Sequence, residues 1–347
     1  HSLRRSNTVM PTKLEYIWID GSRPWGIRSK IKVITGDFDP DIHEVPIWNF
    51  DGSSTNQAVG DDSDCVLQPI RCYPHPYTDG HDSWIVFCEV MTSEGNVHET
   101  NTRSEFMKAF MNNSNSEPWF GFEQEYSIIH NNRPLGFPDN GFPSPQGIYY
   151  CGVGGDRSFG RQISNTHLEA CLSAGISICG TNAEVAPGQW EYQIGGPDID
   201  ADKACDDLWV SRYLLLYTAE LAGLTVTFEP KCVPGDWNGA GCHTNFSTLQ
   251  MRSEGGISVI KAACEALSNK TEEHLNGYGD NIKLRLTGDH ETCSYQEFKW
   301  GVADRTASIR IPSQVALDGF GYLEDRRPNA NCDPYIVAKL MIETTST

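Results

Sequence analysis

The chain is short of positive charge. Its 347 residues include 27 Lys and Arg against 46 Asp and Glu, which gives a formal net charge of −19 at pH 7. Sequence-independent binding to nucleic acid or to an anionic membrane depends on Lys and Arg that neutralise phosphates. We therefore predict neither a nucleic acid nor a membrane as a partner. An anionic substrate would have to be held by metal ions and a few placed arginines.

Long apolar runs and paired cysteines are also absent. No stretch approaches the eighteen or so apolar residues of a membrane-spanning helix, and the 12 cysteines contain no CxxC pair. Scattered thiols in a chain of this size are typical of a reducing compartment, which predicts a cytoplasmic protein. Residues 1–9 are basic and contain no acid. They fit an organellar transit-peptide remnant, a remnant of an expression tag, or a loose terminus.

The pattern of apolar residues predicts two domains. A chain of this length can bury two cores. β-branched and aromatic runs dominate a first domain, 14–102, which follows a terminal extension, 1–13. A second domain, 103–347, mixes strand and helix patterns without regular alternation, so the fold class is α+β. The strand patterns are 15–20, 29–34, 83–90, 118–129, 224–230 and 306–312. The helix patterns are 161–176, 206–224, 255–270 and a last helix from Pro334.

A long irregular stretch, 48–65, interrupts the first domain. Loops of this length in compact domains are usually functional or disordered. Trp48 and Phe50 lie within it, so we predict that it docks onto another surface.

Two pairs of glutamates stand among aromatic residues. Glu123 and Glu125 are two positions apart in a predicted strand, so their side chains share a face. Two such charges repel unless a cation lies between them. Glu184 and Glu191 bracket a Pro-Gly turn and can converge on one point. Each pair taken alone also fits an exposed acidic surface.

Together with His243 and Glu324, these glutamates suit hard divalent cations. Mg²⁺ and Mn²⁺ prefer carboxylate oxygens and accept an imidazole, so the leading hypothesis is a two-metal site for phosphoryl transfer. The Gly-interrupted stretch 231–247 would let backbone N–H groups approach phosphate, although it lacks the GK[ST] of a Walker A loop.

Arginines in strand-like sequence suggest forks for carboxylate and phosphate. Arg285, Arg305 and Arg310 are of this kind, and Arg326 follows Glu324 closely. Ordinary ion pairing with the abundant acids is the alternative for each of them.

Seven motifs, in order, resemble glutamine synthetase of the eukaryotic type. The resemblance runs from about Tyr16 to the C-terminus. The motifs are WNFDGSST (48–55), FGFEQEY (120–126), GTNAEVAPGQWEYQ (180–193), GDWNGAGCHTNFST (235–248), RLTGDHET (285–292), ASIRIP (307–312) and GYLEDRRPNANCDPY (321–335). The resemblance implies an N-terminal β-grasp domain and a larger catalytic domain with an antiparallel sheet or half-barrel flanked by helices. It also implies an ATP-dependent ligase that forms L-glutamine from L-glutamate and ammonia through γ-glutamyl phosphate.

The resemblance further implies roles for individual residues, with two to three Mg²⁺ or Mn²⁺ ions as cofactors and ATP as co-substrate. One ion would be held by Glu125, Glu184 and Glu191, and another by Glu123, His243 and Glu324. The ATP contacts would be Asn238, Asn245, Ser247, Arg252, Arg305, Arg310 and Tyr322. The glutamate contacts would be Asp236, Trp237, Arg285 and Arg326. The catalytic residues would be Asp51, Ser54, Glu291, Arg305 and Arg326.

Two of these roles concern ammonium and assembly. In the family, Asp51 takes a proton from ammonium, and its loop enters the active site of a neighbouring subunit, while Glu291 belongs to a closing loop. The resemblance therefore implies a homo-oligomer, a decamer of two stacked pentameric rings with active sites between subunits. A second glycine at Gly195-Gly196 departs from the family's pattern beside the expected adenosine contact.

Three alternatives remain. An inactive structural relative would have damaged metal ligands, and all six are present. A ligase that uses another amine would have a changed ammonium pocket, yet Asp51, Ser54 and Glu291 are present. A phosphotransferase resembling guanidino kinases would not need these ammonium-binding acids.

Overall fold

The computed structural model describes residues 10–78 and 82–346. The chain forms two compact units, which comprise His1–Ser104 with Ala170–Ile176, and Glu105–Glu169 with Ser177–Thr347. The predicted domain boundary after residue 102 stays a prediction. The interpretation of residues 1–9 falls outside the described residues.

The first unit contains a five-stranded sheet in the order β2-β1-β5-β4-β3. β1 and β5 are parallel, and the other neighbours are antiparallel. The strands are β1 (Thr12–Ile19), β2 (Ile27–Ile34), β3 (Trp48–Asp51), β4 (Asp64–Pro74) and β5 (Ser83–Thr92).

Side chains of β1 alternate between the two faces of the sheet, and those on one face form part of the core of this unit. Leu14, Tyr16 and Trp18 point to one face and are buried. The Tyr16 ring meets Trp48 at 5.2 Å between centroids, and the Trp18 ring meets Phe50 at 4.6 Å. The prediction of an irregular docking stretch from 48 is thus wrong at its start: β3 pairs with β4, and its two aromatic side chains pack inside their own unit.

The second unit contains a nine-stranded sheet. Its main path runs β12-β13-β14-β11-β6-β9-β8, with β7 and β10 also paired to β6. All described pairs are antiparallel except β12 with β13. The strands are β6 (Trp119–His130), β7 (Arg133–Pro134), β8 (Ile178–Ala183), β9 (Gln189–Gly195), β10 (Thr225–Thr227), β11 (Cys242–Ser247), β12 (Trp300–Val302), β13 (Ile309–Ile311) and β14 (Leu323–Asp325).

The predicted helices are confirmed, with changes at their ends. The helices are α1 (Arg103–Asn112), α2 (Arg161–Ser173), α3 (Ala201–Leu221), α4 (Gly256–Ser268), α5 (Thr271–Gly277), α6 (Ile282–Arg285), α7 (Ser313–Asp318) and α8 (Pro334–Thr345). α3 begins five residues before the apolar pattern does, in an acidic turn where Lys203 pairs with Asp207 at 2.6 Å. Among the helices described, none has the length and apolar character needed to cross a membrane.

Candidate active site

Neighbouring strands of the larger sheet carry the predicted ligands to one face. In the strand register His243 of β11 lies opposite Glu123 of β6, and Glu191 of β9 lies opposite Glu125 of β6. Glu324 of β14 lies opposite Arg310 of β13. Residues directly opposite in an antiparallel pair have neighbouring side chains, so pairing of strands remote in sequence gathers these groups.

The first cluster consists of Glu123, His243 and Glu324, whose ligand atoms lie within 4.8 Å of one another. His243 Nδ1 lies 3.3 Å from Glu123 Oε2 and 3.2 Å from Glu324 Oε1. Burial and Arg326 oppose the protonation of His243, but the two carboxylates outweigh them and raise its pKa to about 9. The imidazole thus carries a positive charge where a cation would bind.

The second cluster consists of Glu125, Glu184 and Glu191, again with ligand atoms within 4.8 Å. The backbone N–H of Gly241 donates to Glu125 Oε1 at 2.9 Å, and Gln193 Nε2 donates to Glu191 Oε2 at 2.5 Å. Burial and the neighbouring carboxylates raise the pKa of Glu125 and Glu184 to about 7, and that of Glu191 to about 8.

The second cluster fits a divalent cation. The three carboxyls face one another and are partly or fully buried. Without a cation, bound protons reduce the negative charge of this cluster. A cation of charge +2 would replace those protons and would be held by the same oxygens. Both clusters supply hard oxygen ligands, and the first adds one nitrogen, a set that suits Mg²⁺ or Mn²⁺.

Arginines line the same cavity beside Glu324. Arg326 Nη1 lies 2.7 Å from Glu324 Oε1, and Arg310 Nη1 lies 3.0 Å from Glu324 Oε2. Burial opposes ionisation of Glu324, but the hydrogen bond and charge of His243, followed by the two arginines, lower its pKa to about 2. In the described part of the chain, the buried Nε atoms of Arg310 and Arg326 have no hydrogen-bond partner. These donors fit an incoming anion such as phosphate.

Arg285 contacts the backbone that follows Glu324 and also the ring of His243. It is buried, and its guanidinium donates to the carbonyl oxygens of Arg326 at 2.8 Å and Arg327 at 3.1 Å. Arg285 Nη2 also lies 3.3 Å from His243 Nε2. Burial lowers the pKa of Arg285 to about 10. The predicted glutamate contact thus also lies against a ligand histidine.

The cavity that these groups surround has a volume of about 500 Å³. The structure brings twelve predicted site residues to its lining: Glu123, Glu125, Glu184, Glu191, Asn238, His243, Arg285, Glu291, Arg305, Arg310, Glu324 and Arg326. The lining is strongly polar and consists mainly of acids and arginines.

A second cavity of about 480 Å³ shares Glu123 with the first and is mainly apolar. Arg252 lies over the Trp119 ring at 3.5 Å from its centroid, and both line this cavity. The predicted ATP contacts Asn245, Ser247, Arg252 and Tyr322 also line it. An apolar cavity with a few polar groups, next to a cationic one, suits a flat base and ribose joined to phosphates.

Two predicted glutamate contacts of the second unit lie outside the linings of both cavities. The Asp236 carboxylate is exposed to solvent and pairs with His290 Nε2 at 2.9 Å. Trp237 is buried against Phe137, at 5.0 Å between ring centroids. Neither is among the described residues that line these two cavities.

Asp51 and Ser54 belong to the first unit. Asp51 Oδ2 accepts a hydrogen bond from the Ser54 hydroxyl at 2.8 Å. Hydrogen bonds from Ser53 and Ser54 lower the pKa of Asp51, so this carboxylate is ionised at neutral pH.

Sequence reasoning missed several lining residues, namely Tyr150, Asn182, His290 and Thr292. It also missed Gln193, which orients Glu191. Gln193 stands two positions after Glu191 in β9, so the period of two along a strand carried that signal. Asn182, which donates to Glu184 at 3.3 Å, stands two positions before it and carried the same signal, whereas Tyr150 gave no comparable local signal.

Comparisons with known proteins agree with this geometry. The family profile described as "Glutamine synthetase, beta-Grasp domain" matches residues 11–93, and "Glutamine synthetase, catalytic domain" matches residues 102–345. The chain belongs to the glutamine synthetase family. The expected α+β class, with an N-terminal β-grasp domain and a larger catalytic domain, is thereby confirmed.

Glutamine synthetases of a bacterium and of plants align with almost the whole of this chain. The chain is 50% identical to "Glutamine synthetase" of Streptomyces viridochromogenes, over 96% of this chain and 97% of that protein. It is 47% identical to "Glutamine synthetase cytosolic isozyme 1-1" of Oryza sativa subsp. japonica, over 99% and 96%. It is 50% identical to "Glutamine synthetase, chloroplastic/mitochondrial" of Arabidopsis thaliana, over 95% and 77%. Family membership implies the use of ATP and a divalent metal.

Proposed function

We propose that this chain is a glutamate–ammonia ligase, which forms L-glutamine from L-glutamate, ammonia and ATP through a γ-glutamyl phosphate intermediate. One observation carries the proposal. Two three-ligand clusters and four arginines line one polar cavity, and that cavity adjoins an apolar one. This is the arrangement that transfer of a phosphoryl group from a nucleotide to a carboxylate requires.

The chemistry explains the need for ATP. A free carboxylate reacts poorly with ammonia because oxide is a poor leaving group, whereas the acyl phosphate has a good one. We propose that Arg305, Arg310 and Arg326 donate to the transferring phosphoryl, where charge develops. Two of these arginines carry buried Nε donors without a partner among the described residues. Arg285 and Arg326 would hold the glutamate carboxylates.

The acyl phosphate must meet ammonia rather than water. Glu291 lines the cavity and is proposed to close over it. Asp51 is proposed to accept a proton from ammonium, with Ser54 holding its carboxylate, and its lowered pKa keeps it in the accepting form.

The cofactors are proposed to be two to three Mg²⁺ or Mn²⁺ ions, with one site at each three-ligand cluster. These cations supply charge neutralisation of the phosphates and of the crowded glutamates. Two of these ions are supported by the two clusters, each of which offers three ligands.

We propose that the active form is a homo-oligomer, a decamer of two pentameric rings in which the Asp51 loop completes the site of a neighbouring subunit. The support is the resemblance of WNFDGSST (48–55) to the family's loop. A mass in solution ten times that of one chain would support this assembly, and an active monomer would contradict it. We also propose a cytoplasmic location, although the named relatives include cytosolic and chloroplastic isozymes.

The decisive assay measures phosphate release with Mg²⁺, ATP and glutamate, with and without ammonium. Strong release only with ammonium, together with equal formation of glutamine, is the expected result. Equal release in both conditions would overturn the proposal. Hydroxylamine and small amines in place of ammonium test the rival ligase, since a preference for one of them would favour it. No turnover with any amine would favour the inactive relative.

A further inference from the structure

The segment 285–292 holds an unusual backbone beside the cavity. His290 and Glu291 are consecutive non-glycine residues with φ of +53° and +58°. L-residues adopt this left-handed conformation rarely, because Cβ approaches the following carbonyl. Such strain persists only where surrounding contacts hold it. The strained pair includes Glu291, which lines the cavity.

A continuous chain of hydrogen bonds supplies those contacts. The Asn238 backbone N–H donates to Gln146 Oε1 at 2.8 Å. Gln146 Nε2 lies 3.2 Å from His290 Nδ1, and His290 Nε2 lies 2.9 Å from Asp236 Oδ1. Neutral histidine with its proton on Nε2 satisfies every link, since Nδ1 then accepts from the Gln146 amide and Nε2 donates to the carboxylate.

The segment that follows Gln146 is hydrogen-bonded to the segment that contains Glu184. The backbone N–H of Gly147 donates to the Val185 carbonyl at 3.0 Å, and that of Cys151 donates to Ala183 at 3.1 Å. Val185 and Ala183 flank Glu184, a ligand of the second cluster. At the other end of the hydrogen-bonded chain, Arg326 Nη2 donates to the Glu291 carbonyl at 3.3 Å. The strained segment is therefore tied to the ligands on both sides.

We propose that Gln146, Asp236 and His290 form a latch that holds Glu291 over the reacting acyl phosphate and keeps water out. The proposal rests on the proposed ligase function. It changes the role predicted for Asp236: its solvent-exposed carboxylate acts through His290 instead of contacting glutamate. The three are positioning residues, because they act through Glu291.

The activity test uses His290→Asn, which keeps a residue tolerant of left-handed φ but is too short to span the latch. We expect glutamine formation to fall roughly three- to tenfold, and the phosphate released per glutamine to rise above one, since an open segment admits water. The KM for ATP should change less than twofold. Asp289→Asn is the matched control, because Asp289 adjoins the latch without joining it, and it should behave as wild type.

A double-mutant cycle separates the latch from a direct glutamate contact. In a latch, Asp236→Ala and His290→Asn break the same link, so their combination is no worse than the more damaging single variant. Additive effects, with a raised KM for glutamate in Asp236→Ala only, would overturn the latch.

Hydrogen exchange tests the latch independently of the reaction. Amides in 286–292 of the full-length protein should exchange roughly tenfold faster in His290→Asn than in wild type or Asp289→Asn. Unchanged exchange would overturn the latch even in an active ligase. Failure of ammonium-dependent turnover in wild type, with faster exchange in the variant, would instead reject the ligase and retain the latch.

Discussion

Binding of divalent cations to the cation-free protein should release protons. At pH 7, Glu191, with a pKa of about 8, is about nine-tenths protonated. Glu125 and Glu184, with pKa values of about 7, are each about half protonated. Cation binding requires ionised carboxylates, so filling the second cluster should release about two protons. His243, with a pKa of about 9, should lose one more when the first cluster fills.

The affinity of the two clusters for divalent cations should depend on pH. Because these groups hold protons that the cation must displace, affinity rises with pH between about 6 and 8, by roughly tenfold per pH unit for each proton released. The folded-state pKa of each of the three glutamates exceeds the ordinary 4.5. The cation-free protein should therefore lose stability as pH rises from about 4.5 through about 8, and saturating Mg²⁺ should remove that loss.

Isothermal titration with Mg²⁺ in two buffers of different ionisation enthalpy counts the released protons directly. Glu191→Gln serves as the control and should lower the count by about one, since it removes the carboxyl with the highest pKa among the three. A binding enthalpy that is the same in both buffers would mean that no protons leave. The crowded carboxyls would then not be the cation ligands.

Three further variants probe the site's supports. Glu324→Ala should abolish turnover and cost about 3–5 kcal/mol of unfolding free energy, because two arginines lose their shared carboxylate; urea denaturation that matches wild type would contradict this. Gly195→Ala should reduce the free energy of unfolding by about 2–4 kcal/mol, because Gly195 has a φ of +86° and a Cβ there would lie 2.3 Å from the Phe120 carbonyl oxygen. Calorimetry would detect this as a lower melting temperature. Arg252→Ala should raise the KM for ATP roughly tenfold through loss of its stacking on Trp119, and an unchanged value in steady-state kinetics would place the base elsewhere.

Much of the site was predictable because its signals are local. Glu123 and Glu125 share a strand face by the period of two, and the Pro-Gly turn brings Glu184 and Glu191 together as a hairpin. Helices with a clear apolar period, such as α4 and α8, were also predictable. The acidic first turn of α3 was not, because its polar residues hide the helical pattern. Trp48 and Phe50 misled for a similar reason, since aromatic residues in a polar stretch fit either a docking surface or a short strand.

Sequence by itself determined the chemical types: an acidic chain unsuited to nucleic acid, six ligands for hard cations, and motifs in the order of one family. The local pattern of residues did not divide these ligands into two sets; only the resemblance to the family implied that division. Only the pairing of β11 with both β6 and β14 places His243 between Glu123 and Glu324. Strand partners are chosen by side-chain packing between remote segments, which no local period records. The same holds for Gln146 and His290, which are 144 positions apart and meet only in the folded chain.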